Sequence, residues 1–233
     1  MRIVSIAGSA VFLLLQGGLM NAATIDTVAL WDGSAYVGTF GIPDTQTYGE
    51  TVTVPLGLPT LQSFSFEMEL PTTLAFRGEV YAWDGTQASG PNLFESGVTS
   101  TSSGNAFQLV AFDTGGITLV PGGVYVFFAS TSKDNAGHSG AGIWGETHLT
   151  DSYAGGSTVY INNGTDTTQW TSDAWLTIPG DMAFQATFAS DGGPGSDGGA
   201  VEPSTAALFA SGLIVVVIAT RRRRVFHPTM HLL

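Results

Sequence analysis

The side chains able to do chemistry are few and badly placed for catalysis. His138 and His148 are the only histidines between the two termini, and neither lies in a His-Glu-x-x-His pattern. There is no Gly-x-Ser-x-Gly elbow, P-loop or cofactor fingerprint, and without cysteine neither thiol catalysis nor a zinc-thiolate site is available. Carboxylates do occur in close pairs, as at Glu67 and Glu69, with Glu79 further on. Spaced two apart in extended runs, they share the outward side of a strand, where carboxylates ordinarily form a solvated face. No catalytic residue is therefore assigned.

Binding chemistry is better represented. Aromatic faces stack on sugar C–H surfaces, and five tryptophans stand in a chain with little charge. Trp144, beside His138 and His148, and Trp170, after Asn162-Asn163-Gly164, fall in stretches that read as loops and are the candidate glycan-binding residues. Trp31-Asp32-Gly33-Ser34 and Trp83-Asp84-Gly85-Thr86 repeat one small pattern. It reads as a tryptophan closing a strand before an Asp-Gly hairpin turn. Calcium needs six to eight oxygens. Asp134 with Asn135 and Ser139, and Asp166 with Asn162 and Asn163, supply part of such a set for a structural Ca²⁺, although neither has EF-hand spacing. No other cofactor is implied.

These residues must be positioned by strands. In Gln62–Leu70, Phe64, Phe66, Met68 and Leu70 alternate with Ser63, Ser65, Glu67 and Glu69. In Thr73–Trp83, Leu74, Phe76, Val80 and Ala82 face one way, and Arg77, Glu79 and Tyr81 the other. Period-two alternation predicts half-buried strands. Thr51–Val54, Phe107–Phe112, Val124–Ala129, Thr158–Ile161 and Met182–Phe188 are further strand candidates. Asp84-Gly85, Ser89-Gly90-Pro91, Thr114-Gly115-Gly116, Pro121-Gly122-Gly123 and Asn162-Asn163-Gly164 read as turns between them. No stretch between the termini holds a helical period for three turns. The expected fold is all-β, an antiparallel, jelly-roll-like β-sandwich over residues 24–190, with Phe64, Phe66, Phe76, Phe184 and Phe188 in its core.

The ends of the chain carry addresses. Met1-Arg2 and the apolar run Ile3–Leu15, with small residues at Asn21-Ala22-Ala23, read as a signal peptide over residues 1–23. Residues 191–200 (DGGPGSDGGA) form a Gly-rich linker. From Thr205 to Thr220 the chain is uncharged and apolar; as a helix it would be about 24 Å long, a little short of a ~30 Å hydrocarbon core. Arg221, Arg222, Arg223 and Arg224 follow and would remain cytoplasmic, with residues 225–233 as a cytoplasmic tail. The sequence thus predicts a single C-terminal transmembrane helix at 205–220.

The order Val201-Glu202-Pro203-Ser204, short apolar span, arginine cluster over residues 201–224 resembles the PEP-CTERM sorting tail of exported bacterial proteins, with Val201 where that family usually has proline. Val80–Gly85 with Gly90–Ser96 also resembles a strand-turn block of PEP-CTERM ectodomains. The resemblance implies recognition by an exosortase, a membrane protease-transpeptidase, and delivery of a membrane-anchored precursor to the cell surface or extracellular matrix.

Charge narrows the partners. Of nineteen acidic residues only Glu202 lies outside Thr24–Gly199, whereas Arg77 and Lys133 are the only bases inside it. Nucleic acid and anionic headgroups require a basic footprint, so neither is a partner of this head. The sequence therefore reads as an exported, non-catalytic surface or matrix protein. A carbohydrate-binding module of the exopolysaccharide matrix is the alternative, and a glycan-active enzyme the third reading.

Overall fold

The computed structural model describes residues 21–134, 141–147 and 150–191. Thirteen strands run through them: β1 (Ala22–Asp26), β2 (Tyr36–Phe40), β3 (Thr47–Thr53), β4 (Thr60–Glu69), β5 (Leu74–Trp83), β6 (Ala88–Glu95), β7 (Thr99–Thr101), β8 (Phe107–Thr118), β9 (Val124–Ser130), β10 (Gly142–Gly145), β11 (Thr158–Ile161), β12 (Leu176–Ile178) and β13 (Phe184–Ala189). Among the described residues helix is confined to a 3-10 turn at Val28–Leu30 and one turn, α1 (Gln169–Ser172). Among the described residues no helix is long and apolar enough to cross a membrane. Residues 1–20 of the expected signal peptide, most of the linker, the Glu202-Pro203-Ser204 element, the apolar span, the arginines and the tail after them lie outside the described residues.

The strands form two antiparallel sheets. In the first, β13 and β10 follow one another along one edge of β4 and β8 lines the other, with β1 beyond β13 and β2 beyond β10. The second runs β12-β11-β3-β9-β5-β6, and β7 continues along the β5 edge. The two sheets bury their facing sides against each other. Phe64 of β4 meets Phe127 of β9 with ring centroids 5.4 Å apart, and Phe40 of β2 meets Phe76 of β5 at 5.8 Å. Phe64, Phe66, Phe76, Phe184 and Phe188 are all buried there, as the alternation predicts.

The seven predicted strands all form, but two of the five expected turns do not. Ser89-Gly90-Pro91 lies within β6, where the pairing with β5 shifts register between Val80 and Ala82. Thr114-Gly115-Gly116 lies within β8 as a bulge opposite Leu61–Ser63, with φ +66° at Gly115 and +86° at Gly116. Glycine is required there because the extra residues take left-handed backbone. The bulge also returns Leu61 to the same inner side as Phe64, despite their odd spacing. Strand β1 begins at Ala22, within the segment read as leader, and pairs Ala22 with Ala189.

The second sheet is covered on both faces. Its outer side carries a separate apolar cluster of Val126, Phe128, Val159, Ile161, Trp170 and Trp175, flanked by Tyr81 and Trp83. Strand β9 accordingly reads Val-Tyr-Val-Phe-Phe-Ala-Ser, apolar on both sides and buried from Tyr125 onward. Such a continuous apolar run is the mark of a strand enclosed on both faces.

Candidate functional site

The two tryptophans singled out as sugar platforms are core residues. Trp144 belongs to β10 and is fully buried, 4.7 Å from Phe66 and 5.2 Å from Phe40 by ring centroids. Trp170 sits in α1, 1% exposed, with Nε1–H donating to Thr47 Oγ1 at 3.2 Å and its ring 5.0 Å from Phe128. Neither can stack on a polymer. Both read as loop residues in the sequence because the short elements that hold them, four residues each, carry no readable period.

The candidate calcium ligands are also engaged. Asp134 forms a two-pronged pair with Arg77, at 2.7 Å to Nε and 3.0 Å to Nη2. Asp166 Oδ1 accepts from Thr168 N at 3.0 Å and Thr168 Oγ1 at 2.6 Å, which lowers its pKa. Asn163 Oδ1 accepts from Thr47 and Ser132, inside the protein. Each side chain closes a local turn or ion pair. His138, His148, Asn135 and Ser139 lie outside the described residues.

Both basic residues of the head are consumed in one network on the outer face of the second sheet. Lys133 Nζ lies 2.7 Å from Glu79 and 2.5 Å from Glu95, and 5.1 Å from the centroid of Trp170, in cation–π range. Arg77 adds Glu95 at 3.0 Å. Asn92 donates to the other Glu79 oxygen. Burial raises the Glu79 pKa, with Lys133 and Asn92 opposing. Glu79 therefore belongs to a structural charge cluster, although its strand alternates it outward.

A groove of about 850 Å³ on the outer face of the first sheet has room for a ligand. Glu67 and Glu69 of β4 form its floor, side by side on one face. Register brings the rest together: Glu69 pairs across to Phe107 of β8 and to Ile143 of β10, and Gly145 of β10 pairs with Tyr36 of β2. Trp31, Tyr36, Phe107 and Asn105 complete the walls.

Trp31 is held firmly. Its Nε1–H donates to Ala35 O at 2.7 Å, and its ring meets Phe107 edge-on at 4.8 Å. It lies against Gly145, where an added Cβ would stand 3.0 Å from the indole. Asp32 Oδ1 accepts from Ser34 N at 2.7 Å, Ser34 Oγ at 3.0 Å and Ala35 N at 2.8 Å, which fixes the loop. Asp84 repeats the same contacts with Thr86 and Gln87 in the β5–β6 hairpin. The Trp83 turn thus closes a hairpin as expected. The Trp31 turn instead links β1 to β2, which pair with other strands, and it presents Trp31 to the groove. Tyr36 stands 61% exposed at the rim.

Partial burial raises the pKa of Glu67. Among the described residues no protein donor or cation reaches the carboxylate of Glu67 or Glu69. The groove can therefore stack flat apolar faces on Trp31 and Tyr36 and accept hydrogen bonds through two carboxylates and the Asn105 amide. Sequence reasoning passed over it because its residues come from four separate segments. The signal available was the pairing of outward carboxylates with an outward Trp-Asp-Gly turn.

No family model and no curated protein matches this chain. Among solved structures, the cysteine protease and lectin-like domains of Cwp84, a surface layer associated protein of Clostridium difficile, are similar at 10% identity and TM-score 0.43, covering 63% of this chain and 32% of that one. A clostridial Cwp84 structure after propeptide cleavage gives 10% identity and TM-score 0.46, covering 68% and 38%. Infectious bursal disease virus (Gt strain) aligns at 12% identity and TM-score 0.23, covering 96% and 55%. This chain thus spans about a third of the Cwp84 structures, and at these scores none of the three bears on what the groove does.

Proposed function

We propose that this chain is an exported, non-catalytic surface or matrix protein whose β-sandwich head binds polysaccharide in the Trp31–Tyr36 groove. The observation that carries the reading is the groove itself: an open, aromatic-walled channel with polar acceptors on its floor. Stacking on rigid aromatic platforms at the cost of little side-chain order is an economical way to hold a sugar chain. We read the sandwich as jelly-roll-like, since β2 to β3, β3 to β4, β4 to β5, β8 to β9 and β9 to β10 each cross between sheets. Export and sorting rest on the leader, on Val201-Glu202-Pro203-Ser204, on the 205–220 span and on Arg221, Arg222, Arg223 and Arg224. An exosortase-type enzyme would be the processing partner and the membrane a transient one.

A glycan array with the intact chain tests the head. Binding that disappears in Tyr36→Ala, without loss of thermal stability, supports the groove. Undiminished binding by Tyr36→Ala would remove it. Release of new reducing ends, lost in Glu67→Gln, would assign a glycan-active enzyme instead.

A further inference from the structure

We infer that the groove selects a cationic sugar polymer, an aminoglycan with free amino groups, over a neutral one; this rests on the polysaccharide-binding reading above. Glu67 and Glu69 stand two residues apart on one strand face, each partly withdrawn from water, which disfavours their charged forms unless a partner is supplied. Proteins ordinarily relieve such a pair with a lysine or arginine, or with backbone donors. Here Arg77 and Lys133 are both committed to Asp134, Glu79 and Glu95 on the opposite sheet. Glu67 and Glu69 accept nothing from the described residues. Among the described residues no cation balances them, and a positively charged ligand in the groove would do so.

The walls agree with that requirement. Trp31, Tyr36 and Phe107 present rings beside the carboxylates, and an ammonium gains from both aromatic faces and anions. An amino sugar offers the two things the groove lacks, flat C–H faces for the aromatics and –NH₃⁺ for Glu67 and Glu69. An anionic polysaccharide would bring further negative charge to an already acidic head. A lysine side chain offers the charge without the flat ring, so it uses the floor and leaves the walls empty.

The test is calorimetry with the intact chain and three oligosaccharides of equal length, made of glucosamine, N-acetylglucosamine and glucose, in mildly acidic buffer. The glucosamine oligomer should bind at least about tenfold tighter than the other two, the gain expected of one partly desolvated ammonium contact. That preference should shrink with added salt. The double variant Glu67→Gln with Glu69→Gln should bind the glucosamine oligomer no tighter than the neutral ones, and its circular dichroism should match the wild type. Equal affinity for all three overturns charge selection while leaving the groove reading intact. A preference that survives the double variant, or a lysine oligopeptide that binds tighter than the glucosamine oligomer, also overturns it. Failure of every oligosaccharide to bind overturns both readings.

Discussion

Glu50 and Asp181 bring two carboxyl groups together inside the sandwich, on the side away from the groove. Glu50 is fully buried; its Oε2 accepts from Thr158 Oγ1 and Met182 N, both at 3.1 Å. Its Oε1 has no protein donor. Asp181 Oδ2 accepts from Ser152 N at 2.6 Å and Tyr153 N at 2.8 Å. Two acceptors in contact are reconciled by one proton, carried by Glu50 and donated to Asp181. Burial, with Asp181 adding to it, pushes Glu50 well above the ordinary range of a carboxyl; Asp181 itself is raised, mainly by burial.

The first prediction is a pH dependence with a definite sign. A carboxyl whose pKa is raised by folding contributes stability that is fully present below its unfolded value and lost as pH rises through its folded value. The head should therefore lose stability between mildly acidic and alkaline pH. Glu50→Gln, whose amide can donate where the proton did, should flatten that slope and be the more stable form at alkaline pH. Urea titrations of both proteins across the range check this. A wild-type slope no steeper than that of the variant would sink the shared proton.

Core packing supplies a second prediction. Phe66 is fully buried between Trp144 and Phe184, with centroids 4.7 and 6.4 Å away. Phe66→Ala should cost about 3–5 kcal/mol, as deleting a buried aromatic leaves a cavity. A loss below about 1 kcal/mol would show that the site collapses around the smaller side chain.

The Lys133 network makes a third. Glu79 has no solvent-exposed side-chain surface, whereas Lys133 retains 29%. Lys133→Met strands a buried carboxylate and should cost about 1–3 kcal/mol, the penalty for an unsatisfied buried acceptor. Adding Glu79→Gln should recover much of that loss, because a neutral amide needs no cation. Denaturation of the two variants decides, and an unaltered double variant would place the cost elsewhere.

The tail is tested by mass. A proline at position 203 lacks a backbone donor and biases the residue before it toward extended backbone, which would suit presentation of a cleavable strand. Mature surface protein should lack residues 205–233, and Glu202→Ala or Pro203→Ala should leave the precursor in the membrane. Recovery of the intact arginine tail from matured protein would make this an ordinary single-span protein.

Strand β4 shows how far period-two alternation reaches. Phe64, Phe66, Met68 and Leu70 had to face one way and Glu67 and Glu69 the other, because successive side chains alternate across any strand. That rule is local, so it also found β5, β9, β11 and β13. It missed β1, β2, β6, β7, β10 and β12; in β7, β10 and β12 three or four residues hold too few alternations to show a period. It mistook Gly115-Gly116 for a turn because left-handed glycine serves a bulge equally well. The two-faced apolarity of β9 was legible and pointed to an outer cover, but nothing local said that Trp170 and Trp175 would form it.

The sequence by itself determined the all-β class, the inward and outward faces of the long strands, the acidity of the head and the composition of its ends, since each of these is a property of neighbouring residues. Only the tertiary structure decided which residues form a site. Trp144 and Trp170 went into cores, while Trp31, Tyr36, Glu67, Glu69, Phe107 and Ile143 met in a groove through the pairing of β4 with β8 and β10, and of β10 with β2. Which strand lies beside which is settled by burying whole sheet faces at once, a balance over the entire chain that no single stretch contains.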